Sequence, residues 1–144
     1  LGHLVLYVKD INISANFYGN VLGWKKIPTP EGAPVAAFSS GRTHHELLLI
    51  EVGPAAAPIN HGHRLGLYHF GLKIGDSDQD LRDALIHLDK HNVPLVGATD
   101  HTVTHSLYIE DPDGNEIELY VDVPGADWIN HPELLMSEAK ELNL

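Results

Sequence analysis

The chain has 144 residues, 43% of them hydrophobic, and a formal net charge of −11, with 9 Lys and Arg against 20 Asp and Glu. That size buries a real core as one compact domain or two small fused halves, and no apolar run of about 18 residues offers a membrane span. The acidic balance, with no basic cluster beyond Lys25-Lys26, argues against nucleic acid, since phosphate contacts need a positive surface. With no cysteine, disulfides and thiolate metal sites are excluded. His3 and Lys9 interrupt the opening apolar stretch, so no signal peptide is expected and a cytoplasmic protein is. The anomaly is the 11 histidines, which can serve as ligands, proton-transfer groups or polar surface.

Residues 3–10 are rich in β-branched and aromatic side chains and read as a first strand, with His3, Val5, Tyr7 and Lys9 on one face and Leu4, Leu6 and Val8 on the other. Asp10 ends it. A helix follows, capped by Asn12 or Ser14, with Ile13, Phe17, Val21 and Leu22 as its apolar positions and Gly23 as its stop. Residues 24–27 form a short second strand, 28–32 a loop, 35–39 a third strand, 41–43 a turn and 45–52 a fourth strand. Gly53 to Leu67, with its glycines, prolines and alanines, reads as a linker.

The pattern then begins again. His69, Leu72, Ile74 and Asp76 repeat His3, Leu6, Val8 and Asp10 at a constant offset of 66 residues. A second helix follows, capped by Ser77 with Asp80 three residues on, its apolar face made by Leu81, Ala84, Leu85 and Leu88 and its end set by Asn92-Val93-Pro94. Strands are expected at 95–96, 107–110 and 116–121. Each half is therefore β-α-β-β-β, and the chain is an internal duplication: one domain over 1–144, with a first module over 1–53, a linker over 54–67, a second module over 68–122 and a tail over 123–144 that carries a helix from Pro132 to Leu142.

Between the last two strands lies Asp111-Pro112-Asp113-Gly114, a turn in which Pro112 presets φ and Gly114 accepts φ > 0. Beyond it Glu116, Glu118 and Tyr120 share one strand face, and Ile117, Leu119 and Val121 the other. The repeat puts His3 and His69 at equivalent positions. If the halves pair side by side, Glu118 approaches both, and two imidazoles with one carboxylate form the facial triad of non-haem Fe(II) sites, which Mn(II) or Zn(II) can also occupy.

These residues resemble the vicinal-oxygen-chelate superfamily, which includes glyoxalase I, bleomycin-resistance proteins and extradiol ring-cleavage dioxygenases. The resemblance rests on His3-x-x-Leu6-x-Val8-x-Asp10, Phe17-Tyr18-x-x-x-Leu22-Gly23, His69-x-x-Leu72-x-Ile74, and the run from Glu110-Asp111-Pro112-Asp113-Gly114 to Ile117-Glu118-Leu119. It covers roughly residues 1–122. It implies an α+β fold in which two tandem βαβββ modules form an open, eight-stranded, cup-shaped sheet with helices outside. Within the superfamily the chain is most similar to a single-domain extradiol dioxygenase of aromatic catabolism, which implies Fe(II), or Mn(II) or another divalent ion, held by His3, His69 and Glu118. The implied substrates are a catechol-type aromatic diol and O2, and the implied assembly is a homodimer or higher. Tyr108, ten residues before Glu118, is then expected to hydrogen-bond a substrate oxygen and assist its deprotonation. The resemblance likewise implies that His45 stabilises the oxygen species and shuttles a proton, and that His101 hydrogen-bonds a substrate oxygen at the pocket rim.

Two rival readings share the fold. A glyoxalase-I-like lyase places a metal ligand in the fourth strand of each half; here the alignment puts Leu47 nearest that position, and Glu46 needs a shift of register. A non-catalytic binding protein for an aromatic, drug-like ligand typically lacks the triad that this chain keeps. His87 and His91 stand at i, i+4 on the second helix with no third ligand in sight and read as a solvated flank. His61, His63 and His131 read as surface, and His44 and His105 have no assigned role.

Overall fold

The computed structural model describes all residues 1–144, which divide into two compact units: residues 1–61 with 111–114, and residues 62–110 with 115–144. The fold is α+β, with the same β-α-β-β-β order in each half. No helix is long and apolar enough to cross a membrane.

In the first unit β1 (Leu4–Val8) leads into a helical stretch made of α1 (Ile11–Asn16) and a π-helical turn (Phe17–Val21). Three strands follow: β2 (Lys25–Ile27), β3 (Val35–Ser39) and β4 (Leu47–Glu51), in a sheet ordered β1-β4-β3-β2. The alternation expected in β1 holds, with Leu6 and Val8 buried and Val5 and Tyr7 exposed. The helix cap differs from expectation. Asp10, not Asn12 or Ser14, is the N-cap: its carboxylate accepts from the backbone N–H groups of Asn12 and Ile13 at 2.9 and 3.0 Å. An aspartate just before the first turn satisfies donors that a residue inside the helix cannot reach. The π turn then lets Phe17, Tyr18 and Val21 all enter the core, where Phe38 and Leu49 are fully buried. Burying each such side chain is worth about 1.5–3 kcal/mol. The 111–114 turn packs here too: the Tyr18 hydroxyl donates to Asp111 Oδ2 at 2.8 Å, both residues being buried.

The second unit comprises β5 (His69–Gly75), α2 (Asp78–Lys90), β6 (Leu95–Asp100), β7 (Thr104–Glu110) and β8 (Glu116–Asp122). Its sheet runs β5-β8-β7-β6 and repeats the order of the first, with a two-residue β9 (Lys140–Glu141) added at the β6 edge. The Ser77–Asp80 cap forms, the Asp80 carboxylate accepting from both Ser77 N and Ser77 Oγ, and α2 buries Leu81 and Leu88. β7 and β8 are the expected hairpin: Gly114, at φ +88°, donates its N–H to the Asp111 carbonyl at 3.0 Å. Ile117, Leu119 and Val121 are buried, as the alternation requires.

The tail differs from expectation. In place of a helix over 132–142 there is a single 3-10 turn, Pro132–Met136, with none of its residues buried, and then β9. Leu135 and Met136 remain exposed, so no apolar face is buried to support a longer helix. β6 and β7 are each longer than the residue pattern suggested, because their ends carry polar side chains that the period-2 reading excluded.

Candidate functional site

One parallel pair and one antiparallel pair build the polar cluster of the second unit. β8 lies between β5 and β7, so Glu118 faces Gly71 on one side and Tyr108 on the other. Ser106, two residues before Tyr108, presents its side chain to the same sheet face. The Glu118 carboxylate is held from the β7 side: Oε1 accepts from Ser106 Oγ at 2.6 Å and from Tyr108 OH at 3.2 Å. Its other oxygen, Oε2, stands 3.4 Å from His69 Nε2. The His69 Nδ1 is buried without a hydrogen bond, and Glu116 Oε1 stands 3.3 Å from it. Gly71 keeps this space open, since a β-carbon there would meet Glu118 Oε2 and the Tyr120 ring at 3.3 Å.

His101 enters from the β6–β7 loop. Its Nε2 lies 2.8 Å from Tyr108 OH. The loop is tight: Thr102 has φ +72° and Val103 N donates to the His101 carbonyl at 2.8 Å, a γ-turn that a β-branched residue adopts only under strain. Desolvation first, and then the charge of Glu118 and its hydrogen bond, push the Tyr108 phenol up to about 12. At neutral pH it is therefore a proton donor, aimed at Glu118 or, with the other histidine tautomer, at His101.

The first unit brings other expected residues together. The His3 and His45 rings pack at a tilt with centroids 4.7 Å apart, and His44 and His45 at 4.5 Å, the latter two with their Nδ1 atoms 2.5 Å apart. Desolvation, then the neighbouring His44 and His3, hold the His45 imidazolium below its usual range. Of the six expected site residues, His69, Glu118, Tyr108 and His101 form one cluster and His3 and His45 another. Within each unit taken by itself, no group of three or more His, Cys, Asp or Glu is arranged to hold a metal ion. The pair that could ligate one ion is His69 Nε2 with Glu118 Oε2. Two ligands at about 2.1 Å from one divalent ion stand about 3.0 Å apart at a right angle and about 3.4 Å apart at the tetrahedral angle, so a separation of 3.4 Å fits the donor set.

The remaining histidines have their own partners. His105, unassigned in the sequence, pairs through Nδ1 with Asp78 at 2.6 Å and faces Asp100 at 3.7 Å through Nε2. His87 and His91 pack at a tilt with ring centroids 4.3 Å apart on the exposed end of α2. Ser106, Gly71 and Glu116 were not given site roles by the residue pattern. Ser106 stands at period 2 from Tyr108, but Thr104, His105 and Glu110 make the same strand polar at both ends, so the residue pattern alone did not set it apart.

The register also settles which residue of the first unit corresponds to Glu118. In the second sheet Gly71 pairs with Glu118, and in the first the equivalent Val5 pairs with Leu48, so the counterpart is Leu48 and not Leu47. Glu46 is no substitute: its carboxylate is engaged by Ser40 N, Ser40 Oγ and Arg42 Nε.

Residues 1–119 match the family model described as the glyoxalase/bleomycin resistance protein/dioxygenase superfamily. The chain is 33% identical over 128 residues to catechol-2,3-dioxygenase of Bacillus subtilis (strain 168), covering 89% of this chain and 43% of that protein. It is 30% identical to biphenyl-2,3-diol 1,2-dioxygenase 2 of Rhodococcus globerulus, covering 83% of this chain and 61% of that one. It thus spans less than two thirds of the length of either relative. Its fold is like that of a glyoxalase/dioxygenase from Nostoc punctiforme, with a TM-score of 0.69 at 24% identity over 85% of this chain and 90% of the other.

Proposed function

The chain belongs to the glyoxalase/bleomycin resistance protein/dioxygenase superfamily, and from that premise we propose that it is a metal-dependent extradiol dioxygenase acting on a catechol-type aromatic diol and O2. The observation that carries the proposal is the second-unit cluster, in which a carboxylate, an imidazole and a phenol converge: Glu118 lies 3.4 Å from His69 and 3.2 Å from Tyr108. His69 and Glu118 are the proposed ligands, with His3, the counterpart of His69 in the sequence repeat, as the third. When bound, the divalent metal, Fe(II) in first place and Mn(II) or another divalent ion in second, supplies Lewis-acid binding of the diol oxygens and redox chemistry with O2.

The protein's own groups handle protons. Tyr108 is oriented by His101 Nε2 at 2.8 Å, so its hydroxyl can exchange a hydrogen bond from Glu118 to a substrate oxygen and pass a proton along the Tyr108–His101 contact. His45, packed against His3, is the proposed second proton-transfer group, and His101 also offers a hydrogen bond at the rim. A cytoplasmic homodimer or higher assembly completes the reading.

The glyoxalase-I-like alternative is disfavoured by Leu48, which stands where that arrangement needs a ligand from the first module. A binding protein without chemistry has no use for a buried serine and a tyrosine both directed at one carboxylate. The test is anaerobic reconstitution with Fe(II), followed by oxygen uptake with a panel of catechols. Uptake with appearance of the coloured ring-cleavage product is the expected result; metal binding without uptake on any diol overturns the dioxygenase reading.

A further inference from the structure

We infer that Ser106 is a positioning residue: it holds Glu118 through Oε1 and so presents Oε2 as the oxygen that faces the metal. The inference rests on the proposed function and adds to it the residue that fixes the ligand carboxylate. Ser106 is fully buried, Leu107 and Ile109 on the opposite face of its strand belong to the core, and its hydroxyl donates to Glu118 Oε1 at 2.6 Å. A bond of that length to a carboxylate is charge-assisted, and such bonds are about twice as strong as neutral ones.

Hydrogen counting singles out Ser106 from Tyr108. Tyr108 has one hydroxyl proton and two acceptors for it, Glu118 Oε1 at 3.2 Å and His101 Nε2 at 2.8 Å, with the Ser106 hydroxyl as a further neighbour. When that proton turns to His101 or to a substrate oxygen, the tyrosine no longer donates to the carboxylate. Ser106 also reaches the Tyr108 oxygen, but its one proton lies on the short 2.6 Å contact to Oε1, so Ser106 keeps that oxygen engaged whichever way the tyrosine turns. Oε2 then has no donor from β7 and lies towards His69 Nε2. A carboxylate free to rotate would offer either oxygen or both; this one is held with a single oxygen outward. Outer groups that fix a ligand in this way are worth about 10–100-fold in metal affinity.

The experiment is calorimetric titration of the metal-free protein with Mn(II), together with the Co(II) absorption spectrum. Ser106→Ala is expected to weaken Mn(II) binding by about 10–100-fold and to alter the Co(II) bands. Ser106→Thr, which keeps the hydroxyl, is expected to recover most of the affinity. The melting temperatures of the metal-free variants separate a general loss of packing from a loss of ligand positioning. Wild-type affinity and an unchanged Co(II) spectrum in Ser106→Ala overturn the inference while leaving the dioxygenase reading standing. Equal losses in Ala and Thr that track the melting temperatures overturn it as well. A wild-type protein that binds neither ion overturns both. Should Ser106→Ala fail to fold, Ser106→Cys keeps the volume with only a weak donor and carries the same comparison.

Discussion

Glu118 stands directly opposite Gly71 across the parallel β5–β8 pair, with its carboxylate in the space a side chain at Gly71 would fill. The equivalent pair in the first unit is Val5 opposite Leu48, two apolar side chains. The duplication therefore kept the register of the first four pairs, and at this pair the second unit offers both a carboxylate and room for it. A change as small as one methyl group at Gly71 acts on the site from the side opposite to Ser106.

Gly71→Ala is expected to weaken metal binding by about 10-fold, since the new β-carbon at 3.3 Å from Glu118 Oε2 and Tyr120 forces both to give way. The fold should survive, because Gly71 is exposed in an extended strand and the neighbours can move by a few tenths of an ångström. Titration with Mn(II) and a circular dichroism spectrum on the same sample measure the two effects. Unchanged affinity in a folded Gly71→Ala protein would place the metal-facing oxygen of Glu118 elsewhere.

Thr102 offers a contrast between stability and function. Its φ of +72° within a γ-turn is strained for a β-branched residue, and such strain is of order 1–3 kcal/mol. Thr102→Gly removes the strain and gives back roughly 0.5–1 kcal/mol in chain entropy, so stability is expected to hold or rise. The same change loosens the loop that aims His101 at Tyr108, and turnover should fall. Chemical denaturation and oxygen uptake report the two quantities; a variant that is both less stable and fully active contradicts the argument.

Tyr18 ties the first core to the 111–114 turn through its 2.8 Å bond to Asp111. Tyr18→Phe removes the hydroxyl and takes one donor from a buried carboxylate, a loss of about 1–3 kcal/mol in stability. Burial first, and then the Asp111 charge, raise the Tyr18 phenol far above its ordinary value. A group whose folded pKa is raised contributes its full stability below the unfolded pKa and loses it as pH rises past that value. Wild-type stability should therefore decline above about pH 10, and the decline should be shallower in Tyr18→Phe. Urea midpoints at pH 7, 9 and 10.5 test both statements.

The sequence made the second module legible because its signals agree: Ser77 and Asp80 mark a helix start, Asp111 to Gly114 a turn, and the alternation from Glu116 to Val121 separates a buried face from a polar one. The repeat of His3 in His69 carried the duplication for the same reason, a shared period and a shared offset. What stayed hidden depended on cross-strand register. Ser106 gains its meaning only when β7 is set against β8, and Leu48 replaces Leu47 only when β1 is set against β4. The tail misled because Leu134, Leu135 and Ala139 have helical spacing, while only tertiary burial can hold so short an amphipathic helix, and residues 132–136 bury nothing. The Asp10 cap was read as a strand end; it is both, since one residue closes β1 and supplies the acceptor that opens α1.

The catalytic proposal separates ligand from proton-transfer group. Glu118→Ala removes a charge from the proposed metal site, so metal content and turnover should fall together. Tyr108→Phe leaves the Ser106–Glu118 bond in place and deletes the hydroxyl shared by His101 and Glu118. Metal content should persist while ring cleavage slows by about 10²–10⁴-fold, the range for losing one general acid–base group. His45→Phe should follow the same pattern, because His45 packs against the proposed ligand His3 without itself being one of the three. Metal analysis and steady-state oxygen consumption on the same preparations distinguish the classes. Full turnover in both Tyr108→Phe and His45→Phe, with every diol the wild type cleaves, would remove these two residues from the mechanism. Loss of metal in Tyr108→Phe would instead make the phenol part of what holds Glu118 in place.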